Sequence, residues 1–287
     1  MGIESKRELG VIAGATGYLG SILASHYATL GINLILIGRN ADKLKQLKQR
    51  IHLDSKVEVD LICTQFIGDL HSEIGQVIAL RQEQLKFMIN AIGDQNPIGP
   101  FLESSNEDWE LCIETNLVIP SRLIRLFAGV MVKNRFGAII QVSGGGAAAS
   151  RANFSSYAAA KAGLVRLVET IAMEIQDSNV TINAIAPGQM PSQMMQQIEE
   201  NAFKAGEEEV RKAREILSIN NWDSTNTVNL CNFLTHDNIK GITGKLISSN
   251  WDNWVEWPQH IAELENSDLY TLRRVIGRDR GKSWGDL

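Results

Sequence analysis

Short apolar runs alternate with longer amphipathic segments along most of the chain. The run "LGVIAG" precedes "YLGSILASHYATLG", and "INLILIG" precedes "ADKLKQLKQRI". Farther along, "LKFMINAIG" precedes another helical pattern, and "GAIIQVSG" and "NVTINAIAPG" flank a third. Strands that alternate with helices form strand–helix–strand units, so the pattern predicts an α/β fold with a mostly parallel sheet and helices on both faces.

Two parts of this pattern are irregular. The third strand could be either "VEVDLIC" or "QFIGDL", because both are short and apolar and periodicity does not choose between them. Pro120 falls inside the helical pattern of residues 106–133, and we expect it to kink that helix rather than end it.

The domain organisation follows from where the alternation stops. No linker rich in Pro, Gly or Ser divides the first part of the chain, so residues 1–250 are predicted to form a single domain. Residues 189–222 form a methionine-bearing, highly charged helical insertion, which is either a lid over a site or a solvated excursion. The C-terminal extension, residues 251–287, has few apolar residues and should pack on this domain or on a neighbouring subunit.

Composition and charge narrow the class of protein. Hydrophobic residues make up 44% of the 287 residues and charged residues 21%, as in a globular protein. The formal net charge of -5 argues against broad nucleic-acid binding, which normally needs a basic surface. The N-terminal stretch does not resemble a cleavable leader, and no apolar run reaches the ~20 residues that span a bilayer. We therefore expect a cytoplasmic protein without a membrane partner.

Three cysteines are widely separated in the sequence. Cys63, Cys112 and Cys231 stand in apolar surroundings and lack paired metal-ligand spacing. They are expected to be buried free thiols, and no metal site is predicted.

A glycine-rich turn separates the first strand from the first helix. Its glycines have the spacing G-x-x-G-x-x-G, which lets the backbone approach a pyrophosphate at the positive end of the helix. The alternative is that they only turn a strand into a helix. The predicted cofactor-binding residues here are Gly14, Thr16, Gly17, Tyr18, Leu19 and Gly20.

The second strand ends in "GRN", without an acidic residue at its tip. An acid there would bind a ribose 2′-hydroxyl and repel a 2′-phosphate, whereas an arginine offers the phosphate a planar cationic fork. Arg39 therefore favours NADP(H), with NAD(H) as the alternative cofactor, unless it is simply a solvated arginine at a helix start. Asp69 and Asn90, near the ends of later strands, are further candidates for dinucleotide contact.

A tyrosine and a lysine stand four residues apart in "SSYAAAKAGLVRL". A helix would place Tyr157 and Lys161 on one face, with the ammonium near the phenol. A nearby cation favours the phenolate, so the pair is a candidate acid/base centre, although such pairs also arise by chance on surface helices.

Taken in order, these pieces resemble the short-chain dehydrogenase/reductase family over roughly residues 8–250. The matching stretches are "AGATGYLG", "GRN", "GDL", "NAIG", "ETNLVIPSRL", "GAIIQVS", "YAAAK" and "INAIAPGQMPS". The resemblance implies a Rossmann-like doubly wound parallel sheet of about seven strands and a homodimer or homotetramer. It also implies hydride exchange between a nicotinamide and a carbonyl or secondary alcohol.

The resemblance assigns roles to individual residues. It implies proton transfer by Tyr157, ribose binding and a lowered tyrosine pKa from Lys161, and support of a proton-relay water by Asn116. It places Pro187 and Gly188 against the nicotinamide and Ser192 near its carboxamide.

The sequence also departs from the family pattern. Ala13 and Tyr18 replace a usual threonine and a frequent glycine, and "ISSNWDNW" with a longer tail replaces Asp-Gly-Gly after the last strand. Gly144 stands thirteen residues before the tyrosine, where the family has its catalytic serine. Three donors could replace that hydroxyl: the Ser143 side chain, the backbone N–H groups of residues 144–146, or a hydroxyl of the substrate. We favour Ser143, one residue earlier.

The leading interpretation is an NADP(H)-dependent oxidoreductase acting on a small polar substrate. The alternatives are an NAD(P)-dependent epimerase or dehydratase and a catalytically silent dinucleotide-binding protein. Trp251, Trp254 and Trp257 alternate with polar residues and could stack on a sugar, but we expect them to close a core or a subunit interface.

Overall fold

A computed structural model describes residues 8–66, 70–79, 81, 84–236 and 241–284. Within these residues, seven strands form one sheet in which all pairings are parallel. The strands are β1 (Glu8–Ala13), β2 (Asn33–Gly38), β3 (Val59–Cys63), β4 (Gln84–Asn90), β5 (Gly137–Val142), β6 (Val180–Ala186) and β7 (Leu246–Ser248). Their order across the sheet is β3-β2-β1-β4-β5-β6-β7, so the predicted α/β fold with a doubly wound parallel sheet is confirmed.

Helices connect the strands and cover both faces of the sheet. They are α1 (Tyr18–Thr29), α2 (Ala41–Asp54), α3 (Leu70–Ala79), α4 (Asn106–Ile113), α5 (Ile119–Asn134), α6 (Ser155–Glu174), α7 (Gln193–Glu200), α8 (Ala202–Ala205), α9 (Glu207–Leu217), α10 (Thr225–Leu234) and α11 (Ile261–Glu265). One apolar cluster joins α1, α2 and α10 to the sheet, and a second joins α3, α5 and α6 to it. Val11 and Ile12, adjacent in β1, belong to different clusters because successive side chains of a strand point to opposite faces.

The strand order reverses between β1 and β4, which places a crevice at the carboxyl end of the sheet. Gly14 follows β1 and Asn90 ends β4, while Ser143 and Pro187 directly follow β5 and β6. The topology therefore brings four separate stretches of the predicted site to one edge.

The structure resolves both irregular parts of the sequence pattern. The third strand is the earlier candidate, since β3 lies within "VEVDLIC". The helical run 106–134 is irregular one turn before Pro120, where Glu114–Val118 form a π-helical turn and Ile119 N–H donates to the Glu114 carbonyl. Proline lacks an N–H and crowds the carbonyl four residues earlier, so a wider turn before it relieves both problems.

The run from Asn106 to Asn134 also bears on the membrane expectation. Among the described residues it is the one helix that is long and apolar enough, by length and composition, to cross a membrane. It is not an uninterrupted apolar run, because Glu114, Arg122 and Arg125 lie within it. In the structure 50% of its most apolar stretch of 18 residues is buried within the domain, as in the core helix of a globular fold.

The cysteine prediction is right at two positions and wrong at one. Cys112 and Cys231 are buried, whereas Cys63 is exposed, and all three are free thiols. Cys63 is the last residue of β3, the strand at one end of the described sheet order. No cluster of metal-ligating side chains occurs among the described residues.

The C-terminal extension packs on its own domain. Trp254 and Trp257 are buried in the cluster that holds α1 and α10, so they close a core, whereas Trp251 is 88% exposed. The buried Lys245 ammonium donates to the carbonyls of Leu264, Ser267 and Leu269, which fastens the extension to the start of β7.

Candidate active site

The turn after β1 has no room for a side chain at two of its three glycines. Gly14 has φ +76°, and a Cβ there would lie 2.8 Å from the backbone of Ala91 and Ile92. A Cβ on Gly20 would lie 2.2 Å from the Gly14 carbonyl oxygen. Gly17 precedes α1, and no side chain caps that helix N-terminus. Close backbone approach and uncapped N–H groups at a positive helix end fit a pyrophosphate.

The other predicted residues of this turn play different parts. The Thr16 hydroxyl oxygen lies 3.5 Å from the position of a Cβ on Gly38, so it sits between the turn and the end of β2. Leu19 is buried in the core, which leaves only its backbone to face a ligand. Tyr18 packs edge-on against Trp222, with ring centroids 5.8 Å apart. Trp222 ends the helical insertion, and sequence reasoning did not identify it.

The end of β2 presents the predicted phosphate ligand. Arg39 is exposed, and its guanidinium has no hydrogen-bond or ion-pair partner in the described part of the chain. Asn40 caps α2 by accepting from the Lys43 N–H at 2.9 Å, so it fixes the start of the helix beside the arginine. A free guanidinium here fits a 2′-phosphate. Asp69 lies outside the described residues.

Asn90 supports the crevice rather than lining it. Its side chain is fully buried, donates to Gln141 Oε1 at 2.8 Å and accepts from the Ile92 N–H at 3.1 Å. These bonds join the ends of β4 and β5 and turn the chain toward Gly93. The structure therefore does not support direct contact of the Asn90 side chain with a cofactor.

Asn116 lies in the π-helical turn between α4 and α5 and is fully buried. Its Nδ2 donates to the carbonyls of Asp94 and Cys112 at 2.6 and 2.9 Å, and its Oδ1 accepts from the Asp94 N–H at 3.3 Å. Because the side chain is fully engaged, it holds the loop after β4 in place. A Cβ on Gly93 would lie 3.5 Å from Asn116 Oδ1 and 3.7 Å from Lys161 Nζ, so these residues converge.

Tyr157 and Lys161 share one face of α6, as their spacing predicts. They are 6% and 2% exposed, and Lys161 Nζ lies 5.7 Å from the centre of the Tyr157 ring. The ammonium donates to the Val142 carbonyl at 2.9 Å. The helix thus aims a phenol and a cation at the point where β5 ends.

Burial dominates the ionisation of both groups. It raises the pKa of Tyr157 to about 12, and the charge of Arg151 partly opposes that rise. It lowers the pKa of Lys161 to about 8, with the Cys112 thiol acting in the opposite direction. The expected lowering of the tyrosine pKa by Lys161 is therefore not found: burial raises the pKa of Tyr157, and the charge that opposes this rise is that of Arg151.

The residue facing the phenol is Gly144, not Ser143. A Cβ on Gly144 would lie 2.8 Å from the Tyr157 hydroxyl oxygen. Ser143 is 4% exposed, and its buried hydroxyl has no hydrogen-bond partner among the described residues. Adjacent side chains of an extended chain point to opposite sides, so the Ser143 hydroxyl is turned away from the phenol. The sequence preference for Ser143 as the replacement donor disagrees with this geometry.

The remaining predicted positions follow β6. Pro187 is buried, and its carbonyl accepts from the Thr227 hydroxyl at 3.3 Å. Gly188 has φ +79°, and a Cβ there would lie 2.7 Å from Asn250 Nδ2. Ser192 precedes α7 without capping it. Asn250 belongs to the stretch that departs from the family pattern, and no sequence motif indicates that it adjoins this turn.

The insertion packs over Tyr157. Residues of α7, α8 and α9 form one apolar cluster with the tyrosine; its buried members are Ile98, Cys112, Phe154, Tyr157, Met195, Ile198, Ala205, Val210 and Ala213. Polar contacts add to it: the buried Gln95 side chain donates to the Met194 carbonyl, and Arg151 pairs with Glu209 at 2.6 Å. Neither Gln95, Arg151 nor Glu209 belongs to a recognisable motif.

Comparison with known proteins agrees with this geometry. A family model for short chain dehydrogenases matches residues 9–202. A 3-oxoacyl-(acyl-carrier-protein) reductase of Rickettsia bellii is 27% identical over 205 residues, which cover 71% of this chain and 81% of that protein. A human protein named inactive hydroxysteroid dehydrogenase-like protein 1 is 26% identical over 62% of this chain, and the match spans 54% of its own length.

Solved structures share the fold at low identity. A polyketide ketoreductase of the actinorhodin system, crystallised with NADPH, has a TM-score of 0.74 and 20% identity over 84% of this chain and 95% of its own. An NAD+-bound xylitol dehydrogenase has a TM-score of 0.75 and 19% identity over 85% of this chain and 98% of its own. At such identity these likenesses establish the fold, and the two neighbours differ in the cofactor that they hold.

Proposed function

The chain belongs to the short-chain dehydrogenase/reductase family, and from that premise we propose that it is an NADP(H)-dependent oxidoreductase interconverting a carbonyl and a secondary alcohol on a small polar substrate. One observation carries the proposal. Tyr157 and Lys161 lie together on α6, with the phenol directed at Gly144 beside the crevice where the strand order reverses.

The residues of the crevice suit the two halves of such a reaction. The bound nicotinamide would supply or accept the hydride. Tyr157 would transfer the proton at the substrate oxygen through its hydroxyl. Lys161, already buried with its ammonium beside the tyrosine ring, would hold the nicotinamide ribose and stabilise the phenolate. Asn116 would act indirectly, since its side chain is fully engaged with the loop after β4.

The cofactor assignment rests on two features of the carboxyl edge. The turn at Gly14 and Gly20 leaves no room for a side chain, which suits a pyrophosphate, and Arg39 stands exposed at the end of β2. An unpaired guanidinium is well placed to bind a 2′-phosphate. These features favour NADP(H), with NAD(H) as the weaker ligand. A cytoplasmic location and assembly into a homodimer or homotetramer are still predictions.

A specific observation favours one competing proposal, a catalytically silent dinucleotide-binding protein. Gly144 offers no hydroxyl at the position facing Tyr157, and the buried Ser143 hydroxyl has no hydrogen-bond partner among the described residues. The similarity to a human protein named inactive points the same way.

One experiment separates these functions. Purified protein is incubated with NADPH and a panel of polar carbonyl compounds, including sugar and cyclitol derivatives, beside simple ketones. Net NADPH oxidation that disappears in Tyr157→Phe supports the oxidoreductase. Tight NADPH binding without turnover of any compound supports the silent protein.

A further inference from the structure

Trp222, the last residue of the insertion, reaches the glycine turn after β1. Its ring packs edge-on against Tyr18, with centroids 5.8 Å apart and ring planes inclined by 72°. Both residues are partly buried. Tyr18 is the first residue of α1, and the side chains of a helix lean toward its N-terminus. The aromatic pair therefore lies at the uncapped end of α1, where the turn suits a pyrophosphate.

Helix α10 fixes the position of Trp222. The helix begins at Thr225 and packs in the same apolar cluster as α1. At the far ends of the two helices, the hydroxyls of Tyr27 and Thr235 are hydrogen-bonded at 3.1 Å. Since Tyr18 and Trp222 meet at the near ends, α1 and α10 run side by side in the same direction. A buried helix pair therefore holds Trp222 beside the glycine turn.

Helix α10 also bonds to the turn after β6. The buried Thr227 hydroxyl donates to the Pro187 carbonyl at 3.3 Å and lies 3.1 Å from the Ser249 hydroxyl oxygen. Tyr18 lies just after β1, whereas Pro187 follows β6, and β4 and β5 stand between these strands in the sheet. Residues 222–227 therefore reach from the glycine turn to the turn that the family resemblance places against the nicotinamide.

We propose that Trp222 is a cofactor-retaining residue, which closes the pyrophosphate part of the dinucleotide site against Tyr18 and slows release of the bound dinucleotide. The inference rests on the proposed binding of NADP(H) and extends it to a residue outside both the glycine turn and the Tyr157 centre. An indole ring suits this part, because it covers a large apolar area and holds an edge-to-face contact with a second ring. Release past this end of the site requires the rings to separate, so their contact contributes to the barrier for dissociation.

A purely structural aromatic contact predicts a different result. If the pair only fastened the insertion to α1, Trp222→Ala would weaken every ligand of the crevice alike by loosening the domain. Adenosine 2′-monophosphate carries the 2′-phosphate proposed to bind Arg39, but it has no pyrophosphate. A retaining role therefore predicts that Trp222→Ala speeds the release of NADPH and leaves the Kd of adenosine 2′-monophosphate unchanged.

The release rate is measured on the full chain without any turnover. Protein loaded with NADPH is mixed with excess NADP+ in a stopped-flow instrument, and the fluorescence of bound NADPH is excited directly rather than through tryptophan. Trp222→Ala and Tyr18→Ala should each raise the dissociation rate constant about two- to tenfold, the range that an aromatic pair contributes. The double variant should be no faster than the faster single variant, because both residues act through one contact.

Two further variants serve as controls. Phe203→Ala removes another aromatic side chain of the insertion, but Phe203 lies on α8 and is 88% exposed, so the release rate should not change. Trp222→Phe keeps a ring against Tyr18 and should restore most of the slow release. If Trp222→Ala does not fold, Tyr18→Ala carries the same test from the other side of the contact.

Faster release of NADPH with an unchanged Kd for adenosine 2′-monophosphate would support the retaining role even if no carbonyl compound is ever turned over. An unchanged release rate, additive effects of the two single variants, or equal weakening of both ligands would overturn it. Turnover by a Trp222→Ala protein that releases NADPH at the wild-type rate would leave the proposed function standing and remove only this inference. Absence of any dinucleotide binding by the wild-type chain would remove both.

Discussion

A side chain at Gly144 would point at the hydroxyl of Tyr157, with its Cβ only 2.8 Å from the phenol oxygen. That separation is shorter than a van der Waals contact, so a larger residue must displace the tyrosine or the chain after β5. The tyrosine ring is buried in an apolar cluster and has little freedom to move. The phenol of Tyr157 can therefore occupy its present position because residue 144 has no side chain.

We predict that Gly144→Ala lowers kcat, because its methyl group displaces the phenol without adding a donor. Gly144→Ser introduces the same Cβ together with a hydroxyl that can stabilise a developing alkoxide. The serine variant should therefore be at least about tenfold faster than the alanine variant, since a lost donor of this kind costs roughly 10²- to 10³-fold. Steady-state kinetics on one verified substrate measures both. Equal rates in the two variants would show that a hydroxyl at this position has no catalytic use.

Ser143→Ala should leave turnover within a few-fold of wild type, contrary to the preference drawn from the sequence. The hydroxyl is buried and unpaired among the described residues, and an unsatisfied buried polar group costs about 1 to 3 kcal/mol. The melting temperature should accordingly stay the same or rise. A hundredfold loss of kcat with unchanged stability would restore Ser143 as the donor.

Tyr157→Phe should abolish turnover and leave NADPH affinity nearly unchanged, because it removes one buried hydroxyl and little volume. Lys161→Ala should reduce both turnover and affinity, since it removes a buried cation beside the ring. Fluorescence titration with NADPH and an activity assay separate the two effects. Near-normal turnover in Tyr157→Phe is incompatible with the proposed proton transfer.

Arg39→Ala should weaken NADPH binding and spare NADH. A charge-assisted phosphate contact is worth ~1.5 to 3 kcal/mol, about tenfold to more than a hundredfold in affinity. The guanidinium has no partner among the described residues, so its loss should not destabilise the fold. Dissociation constants for both cofactors provide the check. Tighter binding of NADH than NADPH by the wild-type chain would contradict the assignment.

How far the sequence predicts this molecule depends on the range of each interaction. Strand–helix alternation, the glycine turn and the spacing of Tyr157 and Lys161 are local features, and backbone geometry converts them directly into structure. The direction in which the Ser143 side chain points is not a local feature and could not be predicted from the sequence. A glycine run permits several bends, and only the packing of Tyr157 against Gly144 shows which side the serine occupies.

Contacts between segments that are distant in the sequence could not be predicted, because they produce no recognisable sequence pattern. Arg151 and Glu209 are 58 positions apart, and each alone looks like an ordinary solvated charge. The pKa of Tyr157 shows the same limit, because spacing indicates that a lysine is near but does not reveal how deeply the phenol is buried. The desolvation of the Tyr157 phenol depends on how the insertion of residues 189–222 packs, and the sequence did not determine that packing.

Lys161→Met should make the ligand-free protein more stable at neutral pH while removing activity. Burial lowers the pKa of the ammonium from 10.5 to about 8, which corresponds to an energetic cost of about 3 kcal/mol at pH 7. The lost bond to the Val142 carbonyl offsets part of the gain.

The pH dependence identifies the cause of this stabilisation. Between about pH 8 and 10.5 the unfolded chain holds more protons on Lys161 than the folded chain, so the cost falls as pH rises through this window. Tyr157 acts in the opposite sense above pH 10, where its raised pKa keeps the folded phenol protonated. Since both proteins contain that tyrosine, the difference in their melting temperatures isolates the lysine. The advantage of Lys161→Met should be largest below pH 8 and shrink toward pH 10.5; an advantage that does not vary with pH would mean that packing, not the buried charge, is responsible.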